Sequence, residues 1–128
     1  MGNKRSHFKG RYRPRNPQKY DGNLSSIIYR SSWERLFMMY CDKQPNILKW
    51  SSEELSLPYE FEGKRRSYYP DFLIDMVDSG GSTVRRLIEI KPKYQMEWKQ
   101  NKAKWESARE YCRVAGMEFL VLTEGQLF

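Results

Sequence analysis

The chain reads as an α+β domain in which two helices are layered on a small mixed sheet. Apolar residues recur at helical spacing in two stretches, near residues 33–43 and 96–115. Between them lie three runs of strand character joined by short turn-forming sequences, and one further apolar run follows the second helix. The predicted order is helix, three-strand meander, helix, strand, with the helices flanking the sheet as α/β/α layers. A length of 128 residues suits one such domain with a real core.

Ile27-Ile28-Tyr29 leads into Ser31-Ser32-Trp33-Glu34, where the first helix should begin. Trp33, Leu36, Phe37 and Tyr40 fall at i, i+3, i+4 and i+7, one apolar face of a helix running to about Lys43. Ser31 and Glu34 have capping-box spacing. Pro45-Asn46 ends the helix, and Ile47, Leu48 and Trp50 read as a short apolar link.

Residues 54–61 alternate as a strand, with Pro58 marking an edge or bulge. Glu62-Gly63-Lys64 reads as a tight turn, Ser67 to Val77 as the second strand, and residues 78–82 as a hairpin loop. Thr83 to Lys91 is the third strand, stopped by Pro92. In the second helix Trp98, Trp105 and Cys112 recur every seven residues, a stripe that reads as core rather than as a base-stacking platform. Lys99, Lys102 and Lys104 read as its solvated face. Gly116 stops the helix. Met117 to Leu122 is a last short strand, expected beside the third.

A 39% hydrophobic content with 15% aromatic residues argues for a packed body. No apolar run is long enough to cross a membrane, and the first residues lack the apolar stretch of a signal peptide. Cys41 and Cys112 read as reduced, buried thiols, and with the lone His7 they do not make a zinc site. The net charge of +7 is uneven: residues 1–20 hold seven cations and no acid, leaving sixteen cations against sixteen acids elsewhere. Residues 1–22 therefore read as a basic, flexible arm, and residues 23–128 as the folded domain, which should survive removal of the arm. With Phe8, Tyr12 and Tyr20 interleaved, the arm suggests phosphate-backbone contact through Lys4, Arg5, Lys9, Arg11, Arg13 and Arg15. A solubilising tail, or one that docks on an acidic protein, is the alternative.

The most informative residues are Pro70-Asp71 and, eighteen positions on, Glu89-Ile90-Lys91. Strand alternation points Glu89 and Lys91 one way and Ile88 and Ile90 the other, into a core. Two carboxylates and a lysine on neighbouring strands suit a divalent-metal site for phosphodiester cleavage, because Mg²⁺ takes one or two carboxylates plus water and phosphate. Each dipeptide alone is common in purely structural settings; their order and shared strand context carry the reading. Asp75 shares the face of Asp71 but lies about 13 Å along the strand, too far for a co-ligand.

Arranged this way, Glu34, Pro70-Asp71 and Glu89-Ile90-Lys91 resemble the core of PD-(D/E)XK nucleases, the restriction-endonuclease-like fold, over residues 27–123. More narrowly, Tyr29–Glu34, Arg65–Phe72, Leu87–Lys93 and Phe119–Glu124 resemble the head completion nucleases of tailed phages and, also, the end-cleaving endonuclease subunit of some transposons. The resemblance implies Asp71, Glu89 and the Ile90 backbone carbonyl as ligands of Mg²⁺, with Mn²⁺ able to substitute. It implies Lys91 as the residue that positions or deprotonates the attacking water. Glu34 would bind that water or Lys91, or reach a second metal; as the third residue of a capping box it has a structural role open to it too.

Lys64, Arg65, Arg66 and Lys93 would grip phosphates near the scissile bond, or decorate an exposed hairpin and loop. The implied function is a DNA endonuclease acting on DNA ends or structured DNA during phage head maturation, in the host cytoplasm or carried with the virion. Phage head or portal proteins are the implied partners, with no membrane role, and a double-strand break calls for a dimer or two visits. The alternatives are a non-catalytic DNA-binding or virion structural protein on a nuclease scaffold, and a transposase-type end-cleaving endonuclease.

Overall fold

The computed structural model describes residues 9–127. Its centre is a four-stranded sheet in the order β3 (Ile47–Ser52), β6 (Phe72–Val77), β7 (Thr83–Ile90), β8 (Glu118–Leu122). β3 and β7 each pair antiparallel with β6 between them, and β8 pairs parallel to β7 after a crossover through α2 (Lys99–Ala115). The predicted mixed sheet flanked by helices is what forms.

Alternation along β6 and β7 divides the core in two. Phe72, Ile74, Ile88 and Ile90 face α1 (Ser32–Lys43) and meet Phe37, Met38, Cys41 and Trp50. Leu87 faces the other way, onto Trp105, Ala108 and Cys112 of α2. That second layer also receives the hairpin of β4 (Leu57–Phe61) and β5 (Lys64–Tyr68) through Leu57, Tyr59 and Tyr68. The hairpin turns on Glu62 and Gly63, both left-handed at φ 53° and 72°, the backbone that a two-residue type I′ connection needs.

Several expectations are corrected. The link at residues 47–52 is the edge strand β3; a register irregularity between Ile47 and Lys49 breaks the alternation that would have marked it. The run from Ser67 to Val77 is two strands in different sheets. It breaks at Tyr69-Pro70-Asp71, where the Pro70 ring is fully buried. The buried face of α1 is Phe37, Met38 and Cys41, while Leu36 and Tyr40 are 43% and 46% exposed. Shifting the stripe by one residue turns it by about 100°. In α2 the buried set is Asn101, Trp105, Ala108 and Cys112; Trp98 is the N-cap, 51% exposed, its ring 5.9 Å from that of Tyr94. The helix ends at Gly116 in the left-handed conformation, as expected. Both thiols are free and buried.

The described part of the arm, residues 9–22, is not a loose extension. β1 (Gly10–Arg11) pairs with β2 (Ile28–Tyr29), and Tyr20 is buried against Trp50 with ring centroids 4.7 Å apart. Lys19 donates to the carbonyls of Cys41, Asp42 and Gln44 at 2.6, 3.0 and 2.8 Å, capping the C-terminus of α1 with a cation. Asp42, 3% exposed, accepts from Tyr12 Oη, Arg15 N and Asn16 N at 2.8, 2.7 and 2.9 Å. Aromatics and acid-to-amide bonds hold this segment to the core, so removing it would uncover Trp50 and leave Asp42 without donors. Lys4, Arg5, His7 and Phe8 lie outside the described residues.

Candidate active site

The bend after β5 delivers Asp71 to the head of β6, opposite the end of β7. Asp71 Oδ2 accepts the Ile90 backbone N–H at 2.7 Å, which ties the carboxylate to the Glu89-Ile90-Lys91 segment. Glu89 is 3% exposed; its Oε1 accepts the Tyr68 hydroxyl at 2.8 Å, and its Oε2 is 3.8 Å from Lys91 Nζ. Ile88 and Ile90 point into the opposite core, as alternation requires. The predicted convergence of residues 71, 89 and 91 is therefore what the backbone builds.

Glu34 enters from the first turn of α1. Ser31 is the N-cap and accepts the Glu34 N–H at 3.2 Å, while Glu34 Oε1 accepts the Arg30 N–H at 2.9 Å. The capping reading is realised, with the acid reaching one residue further back than a standard capping box. Glu34 nonetheless shares the electrostatics of the site, since its charge raises Asp71 and the Glu89 charge raises Glu34 in turn.

Burial, then the Glu89 and Glu34 charges, push the Asp71 carboxyl well above the ordinary carboxylate range, against the pull of the Ile90 N–H and Lys91. Burial also raises Glu89, opposed by Lys91, the Tyr68 hydroxyl and Lys104. Burial raises Glu34, opposed first by the Arg30 N–H. All three crowded acids are shifted upward, even with Lys91 opposing the shift at Asp71 and Glu89, and Lys104 also at Glu89. A cation placed among them would relieve that repulsion.

Asp71 Oδ1 accepts none of the hydrogen bonds described above and Glu89 Oε2 faces the Lys91 ammonium at 3.8 Å, so the two carboxylates offer hard oxygen donors. Among the described residues no three acidic, histidine or cysteine side chains form a ready-made cage. A donor set of two carboxylates suits Mg²⁺, which keeps water and phosphate in the rest of its shell.

Three neighbours lie beyond the sequence expectations. Tyr68 orients Glu89, and its own hydroxyl is raised by burial and by the Glu89 charge. Glu53, left-handed at φ 55°, donates its backbone N–H to the Asp71 carbonyl at 3.1 Å; its side chain pairs with Arg30, with 3.0 Å between Oε2 and Nε. Lys104, expected on a solvated face, lies over the Tyr68 and Tyr59 rings at 5.7 and 6.0 Å and pulls on Glu89. Tyr68 lies three residues before Asp71, but nothing in its spacing announces a partner twenty-one residues away.

Of the other predicted contacts, Lys64 and Arg65 are exposed on β5, and Arg66 lies over Phe61 at 5.9 Å. Lys93 lies past the strand: β7 ends at Ile90, and Lys93 opens a 3₁₀ turn, its N–H donating to Glu124 Oε1 at 2.7 Å. Asp75 pairs with Arg85 at 2.7 Å and takes no part in the site.

Comparison with known proteins agrees with the geometry. A model of the TnsA-like endonuclease N-terminal family matches residues 44–124, a span that includes Asp71, Glu89 and Lys91 and begins after Glu34. The head completion nuclease of Enterobacteria phage T4 is 35% identical over 144 aligned positions, covering 94% of this chain and 93% of that protein. The nuclease-superfamily resemblance read from the sequence is thereby borne out, and the chain belongs to the family of TnsA-like endonucleases.

Proposed function

We propose that this protein is a metal-dependent DNA endonuclease of the phage head completion type, acting on DNA ends or branched DNA as heads mature. The observation that carries the reading is the meeting of Asp71, Glu89 and Lys91, with Glu34 close by, at the end of β7. Similarity along nearly the whole chain to a phage head completion nuclease favours that role over transposon-end cleavage.

Asp71, Glu89 and the Ile90 carbonyl would hold Mg²⁺, or Mn²⁺ in its place. When bound, the ion supplies charge neutralisation at the phosphate and a more acidic water. The chain's own residues do the rest. Lys91, with its ammonium 3.8 Å from Glu89, orients the attacking water and balances charge building on the phosphate oxygens. Asp71, tied to Ile90 N, keeps its outer oxygen in place as the phosphate approaches. Tyr68 keeps Glu89 from swinging away. Glu34, anchored by the helix cap, contacts the water from the α1 side. Lys64, Arg65, Arg66 and Lys93 contact phosphates flanking the cut. The protein works in the host cytoplasm or with the virion, against head or portal proteins, and makes double-strand breaks as a dimer or in two visits.

The test is to incubate purified protein with supercoiled and linear DNA, with Mg²⁺, with Mn²⁺ and with chelator, beside Asp71→Ala and Lys91→Ala. Cutting should require metal, and each variant should lose about 10²–10³-fold in rate. No cutting under any metal would favour a non-catalytic DNA-binding or virion role. Equal cutting by the variants would refute the site assignment.

A further inference from the structure

We infer that the folded arm and α1 form a preformed cradle for several consecutive phosphates of a DNA backbone, separate from the scissile position. A cavity of about 640 Å³ opens between residues 11–16 and one side of α1. Five cations line it: Arg11, Arg13 and Arg15 from the arm, and Arg35 and Lys43 from the helix. Asp42 is the single acid there, and Tyr12 Oη, Arg15 N and Asn16 N already occupy its oxygens. Among the described residues none of the five cations has an ion-pair partner; Arg35 lies over the Tyr29 ring at 5.9 Å.

Like charges gathered in one concavity repel, and a polyanion removes that repulsion while releasing counterions. Arginine predominates, the cation whose planar fork suits phosphate oxygens. The spacing also fits. Arg35 and Lys43 are eight residues apart, about 12 Å along the helix. Laid alongside a duplex axis, that length spans roughly three nucleotide steps of one strand, at about 3.4 Å of axial rise each. The cavity is far too large for a single phosphate group, and Asp42 fixes its wall before any ligand arrives. Arg35 follows Glu34 directly on α1, so a strand lying in the cradle passes the first turn of the helix that carries Glu34. That DNA is the polyanion rests on the nuclease reading; the existence of the cradle does not.

Binding of a fluorescent DNA duplex is measured in chelator across a salt series, with intact protein and with a variant carrying Arg11→Gln, Arg13→Gln and Arg35→Gln. The log–log salt slope should fall by about 2.7 in magnitude, near 0.9 for each phosphate no longer neutralised, with at least about tenfold weaker binding. Circular dichroism and melting should match the intact protein; a variant that has melted is replaced by the single Arg13→Gln and Arg35→Gln changes, each expected to lower the slope by about 0.9. An unchanged slope overturns the cradle. So does displacement by inorganic phosphate beyond what chloride of equal ionic strength causes, which would mark a free-anion site. Polyglutamate binding as tightly as DNA would overturn it in favour of an acidic protein partner. DNA cleavage by the intact protein is scored separately: a lowered slope without any cutting keeps the cradle and removes the nuclease reading.

Discussion

Two groups of enclosed carboxylates in this small domain are built to opposite purposes. Asp42 is 3% exposed, yet two backbone amides and a tyrosine hydroxyl fill its oxygens. Burial pushes its carboxyl up, but the donors from Arg15, Tyr12 and Asn16 outweigh it and hold the group below the ordinary range. Asp71 accepts the Ile90 N–H, and Glu89 the Tyr68 hydroxyl with a further pull from the Asp71 backbone, yet burial outweighs these donors and both carboxyls are pushed up. A satisfied buried acid organises structure; under-neutralised acids in company prepare a place for a cation. The same side-chain chemistry reads as scaffold in one place and as site in the other, and the count of donors decides which.

The strongest way to break this contrast is to neutralise one member of each group. Asp42→Ala removes the acceptor for three donors and should cost about 3 kcal/mol, near 10 °C in melting temperature. Asp71→Asn keeps an acceptor for Ile90 N and removes a repelled charge. In chelator at neutral pH it should melt at the same temperature or a few degrees higher, while abolishing cutting. A lower melting temperature for Asp71→Asn would mean that the charge is stabilising and the contrast false.

Next is Tyr68→Phe, which leaves Glu89 Oε1 without its hydroxyl donor. Cleavage or metal affinity should drop about 10- to 100-fold, as for other residues that orient a ligand. Unchanged metal dependence would show that Tyr68 merely fills the hairpin core.

The pH dependence sharpens the comparison. The raised acids Asp71, Glu89 and Glu34 contribute stability below their unfolded values, about 4, and that contribution is lost as pH rises through their higher folded values. Asp42 does the reverse: its contribution is present above about 4 and lost as pH falls through its lowered folded value. Melting the protein with and without Mg²⁺ should therefore give a larger metal-induced rise at pH 8 than at pH 5. An equal rise would sever the link between proton and metal at the site. The smallest effect belongs to Asp75→Asn, which breaks a half-exposed pair with Arg85; stability should change by under about 1 kcal/mol and cutting not at all.

Legibility follows locality. The capping pair at Ser31 and Glu34, the Gly116 stop and the alternation of Ile88 and Ile90 against Glu89 are short-range patterns, and each appears in the structure. β3 escapes a reading by pattern because an irregularity disturbs its alternation, and the α1 face misleads because Leu36 and Tyr40 look as apolar as the residues that become buried. The Trp98 stripe misleads for the same reason: heptad spacing places Trp98 in line with Trp105, but the helix starts just after it.

What the amino-acid order determined by itself was the set of elements, the two acids and the lysine on adjacent strands, and a concentration of positive charge near one end. These depend on backbone periodicity and composition, which are properties of neighbours along the chain. Tertiary structure alone decided that Tyr68 and Lys104 serve Glu89, that Lys19 caps a helix, and that Asp42 folds the arm into a cradle. Each of those joins residues at least fifteen positions apart, and only the closing of the core brings such partners within hydrogen-bonding or Coulombic reach.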